Sequence, residues 1–432
     1  MSNAVRRLEI FKRLLEHATE RLGLDFGFVL WDGSTVPARL PSSEFAVVFA
    51  DEGVVAALIR RPKLDTFLNL WVSGRVDLRN GSLFDLVARR PKTRTKDFFR
   101  SLDKLLMLRT ALQFLFVSRG GPWPLEAIRR DRPSSGSVTE NKSNIAFHYD
   151  ISNAFYALFL DPEMAYSCAY FTDWSNDLAT AQLAKFEMIC RKLRLKPEEK
   201  LLDVGCGWGG LICYAAQNYG VRAHGLTLSQ KQYDFAREKI ARLGLADRVT
   251  VELTDYTGVK GEFDKIAQIE MIEHIGLANH ATFFKTMHQA LKPGGLYIHQ
   301  ASMARPNRFK QQTRGRPAGY RAISRYIFPG GEVDHIGMLI ENLQRHGFEL
   351  HDVEAWREHF ARTCRFWHDR LLANHDAAVR EVGSVKTRLY LVYLFGCSFV
   401  FERDGMEIFQ TLASKRQRGP SGVPPSRADL YR

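Results

Sequence analysis

No run of about eighteen apolar residues occurs anywhere in this 432-residue chain, so nothing in it reads as a membrane-spanning helix. The first thirteen residues are charged and helix-like and carry no apolar signal-peptide region, which predicts a cytoplasmic protein. Cysteine is scarce. The six present (Cys168, Cys190, Cys206, Cys213, Cys364 and Cys397) form no C-x-x-C pair, which argues against a zinc site and suits reduced thiols; no metal is expected. Acidic residues are also in short supply, 48 against 61 Lys and Arg, and the net charge of +13 points to an anionic partner.

What is present exceeds one ordinary domain, and 45% hydrophobic content allows a full core in each of two. Residues 1–130 hold 22 Lys and Arg against 14 Asp and Glu, so +8 of the +13 lies in under a third of the chain. An amphipathic helix over 5–22 and apparent strands at 26–31, 44–49 and 68–76 predict a small α+β domain. The basic run 89–96 leads into an aromatic helix over 97–117. That order suits attachment to an anionic membrane surface, and equally a solvated linker before a core helix. Pro, Gly and Ser mark a linker at 131–143, and the Pro/Ser/Arg-rich tail 416–432 reads as disordered. Between them, 144–415 alternates helix and strand. Strands at 200–204, 221–227, 248–253, 263–269 and 295–301, with helices between, predict an α/β doubly wound parallel sheet that binds its ligand at the strand ends. A basic insert at 308–325, helices near 336–346, 359–381 and 384–401, and a last strand at 407–412 complete it.

The first of these strands runs into Asp203-Val204-Gly205-Cys206-Gly207-Trp208-Gly209-Gly210. Glycines there remove the Cβ atoms that would hold a ligand off the main chain. Gly205, Gly207 and Gly210 also satisfy the dinucleotide spacing G-x-G-x-x-G, a weak signal alone. A dinucleotide needs a carboxylate at the end of the second strand, and Thr227-Leu228-Ser229 stands there instead. D-x-G-x-G is the order of S-adenosylmethionine (SAM) methyltransferases, which favours SAM.

Five motifs in order carry a wider resemblance: 148–156 with 164–171, the glycine turn, Gly225 to Gln232, Glu270-Met271-Ile272-Glu273-His274-Ile275-Gly276, and Tyr326 to Gly331. Together they resemble the cyclopropane fatty acid synthase family over residues 141–415, whose fold is a Rossmann-like class I SAM methyltransferase domain with helical insertions. Residues 1–130 look like the extra domain of its phospholipid-acting members. The resemblance implies transfer of the SAM methyl carbon to the cis double bond of an unsaturated phospholipid acyl chain, closing a cyclopropane ring, at the inner face of the membrane. It implies SAM contacts at Tyr166, Ser167, Asp203, Gly205, Gly207, Thr227, Gln232, Asp255 and Tyr256. It also implies a bicarbonate held by Cys168, Glu273, His299 and the backbone of Ala301, with Glu270 and His274 competing for the role of Glu273. At the fifth position of that shell the family has His-Tyr-Ala and this chain has His359-Phe360-Ala361, which removes a phenol donor and leaves a methyl-branched product open. Lipid binding without catalysis is the non-enzyme alternative. Nucleic acid is not expected, since the Asn/Asp-Pro-Pro-Tyr/Phe and paired-cysteine sites of base methylation are absent. A homodimer is left open.

Overall fold

The computed structural model describes residues 2–90, 101–127, 151–306 and 318–431. The expected linker, residues 91–96 of the basic run, residues 148–150 of the first motif and residues 308–317 of the basic insert lie outside them. The chain divides into two compact units. One comprises Met1–Arg129 with Gly383–Phe395, the other Arg130–Val382 with Gly396–Arg432.

In the first unit, strands β1 (Gly27–Val29), β2 (Thr35–Val36), β3 (Ala46–Phe49) and β4 (Val76–Arg79) form a sheet in the order β2-β1-β3-β4. Helix Asn3–Leu22 packs Phe11 and Leu15 against Phe28, Val36 and Phe114. Its ends follow from sequence: the Ser2 side chain accepts from Val5 N, and Gly23 closes the helix at φ 58. Residues 68–76 do not form the expected strand. Leu64–Val72 is a helix burying Leu68, Leu70, Trp71 and Val72, and burial over so much of its circumference hides the helical period. Segment 383–395, expected in the catalytic domain, groups here through Arg388, which donates to Trp71 O (2.6 Å) and Val76 O (3.1 Å) and pairs with Asp77 (3.0 Å).

The second unit is built on seven strands: β5 (Lys200–Val204), β6 (Arg222–Thr227), β7 (Val249–Leu253), β8 (Phe263–Ile269), β9 (Leu291–Met303), β10 (Phe348–Ala355) and β11 (Glu407–Lys415). Their order is β10-β11-β9-β8-β5-β6-β7. The five strands β9-β8-β5-β6-β7 are parallel, and β11 runs antiparallel to both β9 and β10. Helices cover both faces. Leu178–Leu193 and Gly210–Tyr219 bury Ile189, Leu193, Ile212 and Ala215 on one side; His280–Ala290 buries Phe283, Phe284 and Met287 on the other. The sheet is thus the expected doubly wound one, with antiparallel β11 lying between β9 and the edge strand β10. β10 is additional: its Leu350/Asp352 bulge breaks the period-two pattern by which it could be read.

The tail also differs from expectation. Leu430 is buried, Asp429 pairs with Arg194 at 3.0 Å, and Arg427 pairs with Asp352 at 3.0 Å. Two apolar side chains, Leu430 and the partly buried Val423, and two ion pairs dock a segment whose composition reads as unstructured.

Candidate active site

At β5 the apolar run Leu201-Leu202 is buried, and the chain then turns through Gly205 at φ 88 and Gly207 at φ 54. Neither angle suits a residue with a Cβ. A Cβ on Gly205 would strike the Met271 side chain at 2.7 Å, whereas one on Gly207 would meet nothing within 4 Å. The void beside Gly207 is a cleft of about 1100 Å³, including its open mouth, across the carboxyl ends of β5, β6, β7 and β8.

All nine residues expected to touch SAM line this cleft. Thr227 and Gln232 are joined by a 2.8 Å hydrogen bond from Thr227 Oγ1. Asp255 caps the turn after β7 through Thr257 N at 2.9 Å, and Tyr256 packs edge-on against Phe283. Asp203 was expected to support the loop, but its Oδ1 is buried with no hydrogen-bond partner among the described residues. Burial pushes this carboxyl up to about 7 against the opposing charge of Lys185. An acceptor without a donor beside bare backbone suits a ligand with a cationic group.

Lys185 was not anticipated. It sits on the buried face of Leu178–Leu193, four residues from both Ala181 and Ile189, so a charge at an apolar helical position was the available signal. Its Nζ donates to Ser167 Oγ at 2.7 Å. Burial draws the ammonium below its ordinary value, while Glu270, Asp161, Cys168 and Asp203 hold it up.

The five residues expected to carry the chemistry are placed differently: none lines the cleft. Cys168 is fully buried behind Ser167, its thiol donating to Ala169 O at 3.3 Å. Burial and the charge of Glu270 push that thiol far above its usual range. Glu273 accepts from Ser302 N at 2.7 Å on Oε1, while its Oε2 has no partner among the described residues. Burial, then the charge of Glu270, raise it to about 8. Alternation along β9 turns His299 toward Phe284 and Tyr297, whose hydroxyl lies 2.8 Å from Nδ1, while Gln300 faces the other way. Burial lowers His299 to about 3, so it is neutral. Ala301 is fully buried, and Phe360 packs on Phe401 (4.7 Å) and Trp367 (6.1 Å). As a bicarbonate shell this set does not fit. The Cys168 thiol and one Glu273 oxygen are already engaged and Phe360 has no donor, which leaves only Glu273 Oε2 and the neutral His299 Nε2 without partners among the described residues.

Of the two glutamates in the Glu270–Gly276 motif, Glu270 is the one that lines the cleft, and His274 lines it as well. Glu270 holds φ at 54, a left-handed conformation that costs a residue with a side chain roughly 1–2 kcal/mol. Its Oε1 accepts from Cys168 N (2.8 Å) and Gln300 Nε2 (2.6 Å). Burial raises it to about 7 despite those bonds and Lys185. His274 is half-buried, and desolvation lowers it to about 4.

A family model for mycolic acid cyclopropane synthetase matches residues 137–411. The chain belongs to that family. It is 34% identical over 424 residues to a probable fatty acid methyltransferase of Pseudomonas putida, covering 97% of this chain and 99% of the relative. It is also 34% identical over 268 residues to cyclopropane-fatty-acyl-phospholipid synthase of Escherichia coli strain K12, covering 62% of this chain and 66% of that one. Among solved structures, mycolic acid cyclopropane synthase CmaA1 complexed with SAH and CTAB superposes with a TM-score of 0.61 at 32% identity, covering 63% of this chain and 98% of its own. The cyclopropane synthase MmaA2 of Mycobacterium tuberculosis gives the same TM-score at 30% identity. This member of the cyclopropane synthetase family is therefore a SAM-dependent methyltransferase with a class I fold, and its chemistry is modification of lipid acyl chains. Among the described residues no helix is long and apolar enough to cross a membrane, and no cluster of His, Cys, Asp and Glu is arranged for a metal.

Proposed function

We propose that the protein transfers the methyl carbon of SAM to the cis double bond of an unsaturated phospholipid acyl chain and closes a cyclopropane ring. The observation that carries this reading is one cleft that joins a glycine-lined ligand floor to apolar side chains and the half-buried carboxylate of Glu270. Gly205 and Gly207 leave room for the methionine part of SAM, Asp203 Oδ1 accepts from its ammonium, and Asp255 and Tyr256 flank the adenosine. Tyr166, Ser167, Thr227 and Gln232 complete the contacts.

An alkene is a weak nucleophile, so the sulfonium must be held in line with it and water kept from the cation that forms. Trp208, Met271 and Ile275 supply apolar wall to the cleft. No step is drawn through bicarbonate, because the residues present do not fit it.

The substrate lies in a bilayer, and the first unit offers a surface for one. Helix Lys104–Phe114 leaves Leu105, Leu108 and Leu112 exposed along one stripe, with Leu115 and Phe116 exposed just beyond. An apolar stripe on a unit of net positive charge suits peripheral contact with anionic lipid.

A second reading keeps the methyl transfer but leaves a methyl branch in place of a ring. It is favoured by Phe360, which withholds the phenol, and by the name of the Pseudomonas putida relative. Gas chromatography with mass spectrometry on lipids from cells expressing the protein decides between them. Ring-bearing chains support the main reading, branched chains the second, and unmodified chains refute both.

A further inference from the structure

We infer that Glu270 is the base that removes the proton from the methylated acyl chain, in place of a bound anion. This rests on the reading above and adds the residue that completes its chemistry.

Position comes first. Glu270 immediately follows β8, the strand paired with β5, and lines the cleft beside the glycine turn. Its left-handed backbone is fixed by its own N–H, which donates to Gln300 O at 2.8 Å. A strained conformation at a residue with a side chain persists only where its surroundings over-determine it, and such positions gather at active sites.

The carboxylate is also oriented. Both of its hydrogen bonds, from Cys168 N and Gln300 Nε2, fall on Oε1, and among the described residues Oε2 has no partner. Gln300 is itself held by Gln410, whose Nε2 donates to Gln300 Oε1 at 2.8 Å. That bond fixes which end of the Gln300 amide faces Glu270. Lys185, on the same cleft, supplies the compensating charge.

These bonds use donors that a separate anion would need. The Cys168 backbone N–H is given to Glu270, Phe360 offers nothing, and an incoming anion would face a carboxylate of its own sign. Burial also raises Glu270 to about 7, which makes it a stronger base than an exposed carboxylate while leaving a large ionised fraction at neutral pH.

The step balances. The alkene π pair forms a bond to the sulfonium methyl carbon, and the carbon–sulfur pair leaves with the thioether. Glu270 Oε2 then takes a proton from the added methyl, and the freed C–H pair closes the ring. Removal from the neighbouring chain carbon would leave a methyl-branched alkene. Glu270 finishes neutral and returns its proton to water on product release.

The test uses the full-length protein, SAM and vesicles of a cis-unsaturated phospholipid, in buffer stripped of carbon dioxide. Wild type should turn over at the same rate with and without added bicarbonate. Glu270→Gln should bind SAM normally by calorimetry yet lose roughly 10²–10⁴-fold in rate. Glu270→Gly, which suits the left-handed backbone and so guards against misfolding, should show the same loss and recover when formate fills the vacated space. A wild type that stops without bicarbonate, or variants that run at the wild-type rate, would overturn the inference alone. A wild type that methylates no vesicle would overturn the acyl-chain reading and this inference with it.

Discussion

Glu270 and Cys168 are 102 residues apart in sequence, and a 2.8 Å hydrogen bond from the Cys168 backbone N–H to Glu270 Oε1 joins them. It ties the segment carrying Tyr166 and Ser167 to the end of β8, so one wall of the SAM cleft is held by the carboxylate that we assign as base. The wall bearing Tyr166 and Ser167 and the base are thereby fixed relative to each other.

A half-buried, desolvated carboxylate should cost the fold stability. Glu270 rises from 4.5 to about 7 in the native state, through burial opposed by Cys168 N, Gln300 and Lys185; Glu273, Cys168 and Cys364 also share its field. Below about pH 4.5 it is neutral folded or unfolded and no penalty exists. As pH climbs toward 7 the unfolded chain ionises first, and the penalty grows to on the order of 3 kcal/mol. Glu270→Gln should therefore be more stable than wild type by a margin that widens from pH 4.5 to 7 and then levels. Denaturant melts across that range measure it, and a margin independent of pH would contradict the buried ionisation.

Gly207→Ala separates ligand space from folding. The added Cβ meets no protein atom, so the stability cost should stay near the 1–2 kcal/mol of its φ. SAM affinity by calorimetry should fall about tenfold or more. Unchanged affinity would move SAM off the glycine turn.

Arg388→Ala tests the membership of segment 383–395 in the first unit. It removes the bonds to Trp71 O and Val76 O, the Asp77 pair and a guanidinium 4.6 Å above the Trp71 ring. Because Asp77 is partly exposed, most of the loss, about 2–3 kcal/mol, should come from the carbonyl bonds and ring contact. Hydrogen exchange should rise in β4 and in helix Leu64–Val72 while β5 and β8 stay protected. Equal loosening of both units would count against the division.

Leu108→Asp with Leu112→Asp should weaken sedimentation with anionic vesicles without altering SAM affinity, since the exposed stripe of helix Lys104–Phe114 then carries like charge toward the lipid. Undiminished binding would place the membrane contact elsewhere.

The sequence made the cleft legible because its parts are local. A buried strand, a glycine turn and the ends of the next two strands occupy fixed places in a doubly wound sheet, and seven of the nine positions expected at SAM fall there; Tyr166 and Ser167, ahead of the sheet, came from the family resemblance alone. The base was legible only as one carboxylate among candidates. Choosing Glu270 over Glu273 depends on a backbone φ and on partners at Cys168 and Gln300, which no local pattern encodes. Lys185 was visible as a charge on an apolar helix face, whereas the turn of His299 toward Phe284 depends on the pairing of β9 with β8 and β11. In the first unit, helix Leu64–Val72 resembled a strand because it is buried on most sides.

SAM carrying a trideuterated methyl group, incubated with the protein and cis-unsaturated phospholipid vesicles, tests the central claim most directly. Mass spectrometry of the released acyl chains should find the label in the chain with two of the three deuterons retained, because closing the ring sends one to the base. Acyl chains free of label from every unsaturated phospholipid offered, with SAM bound to the protein, would contradict the account.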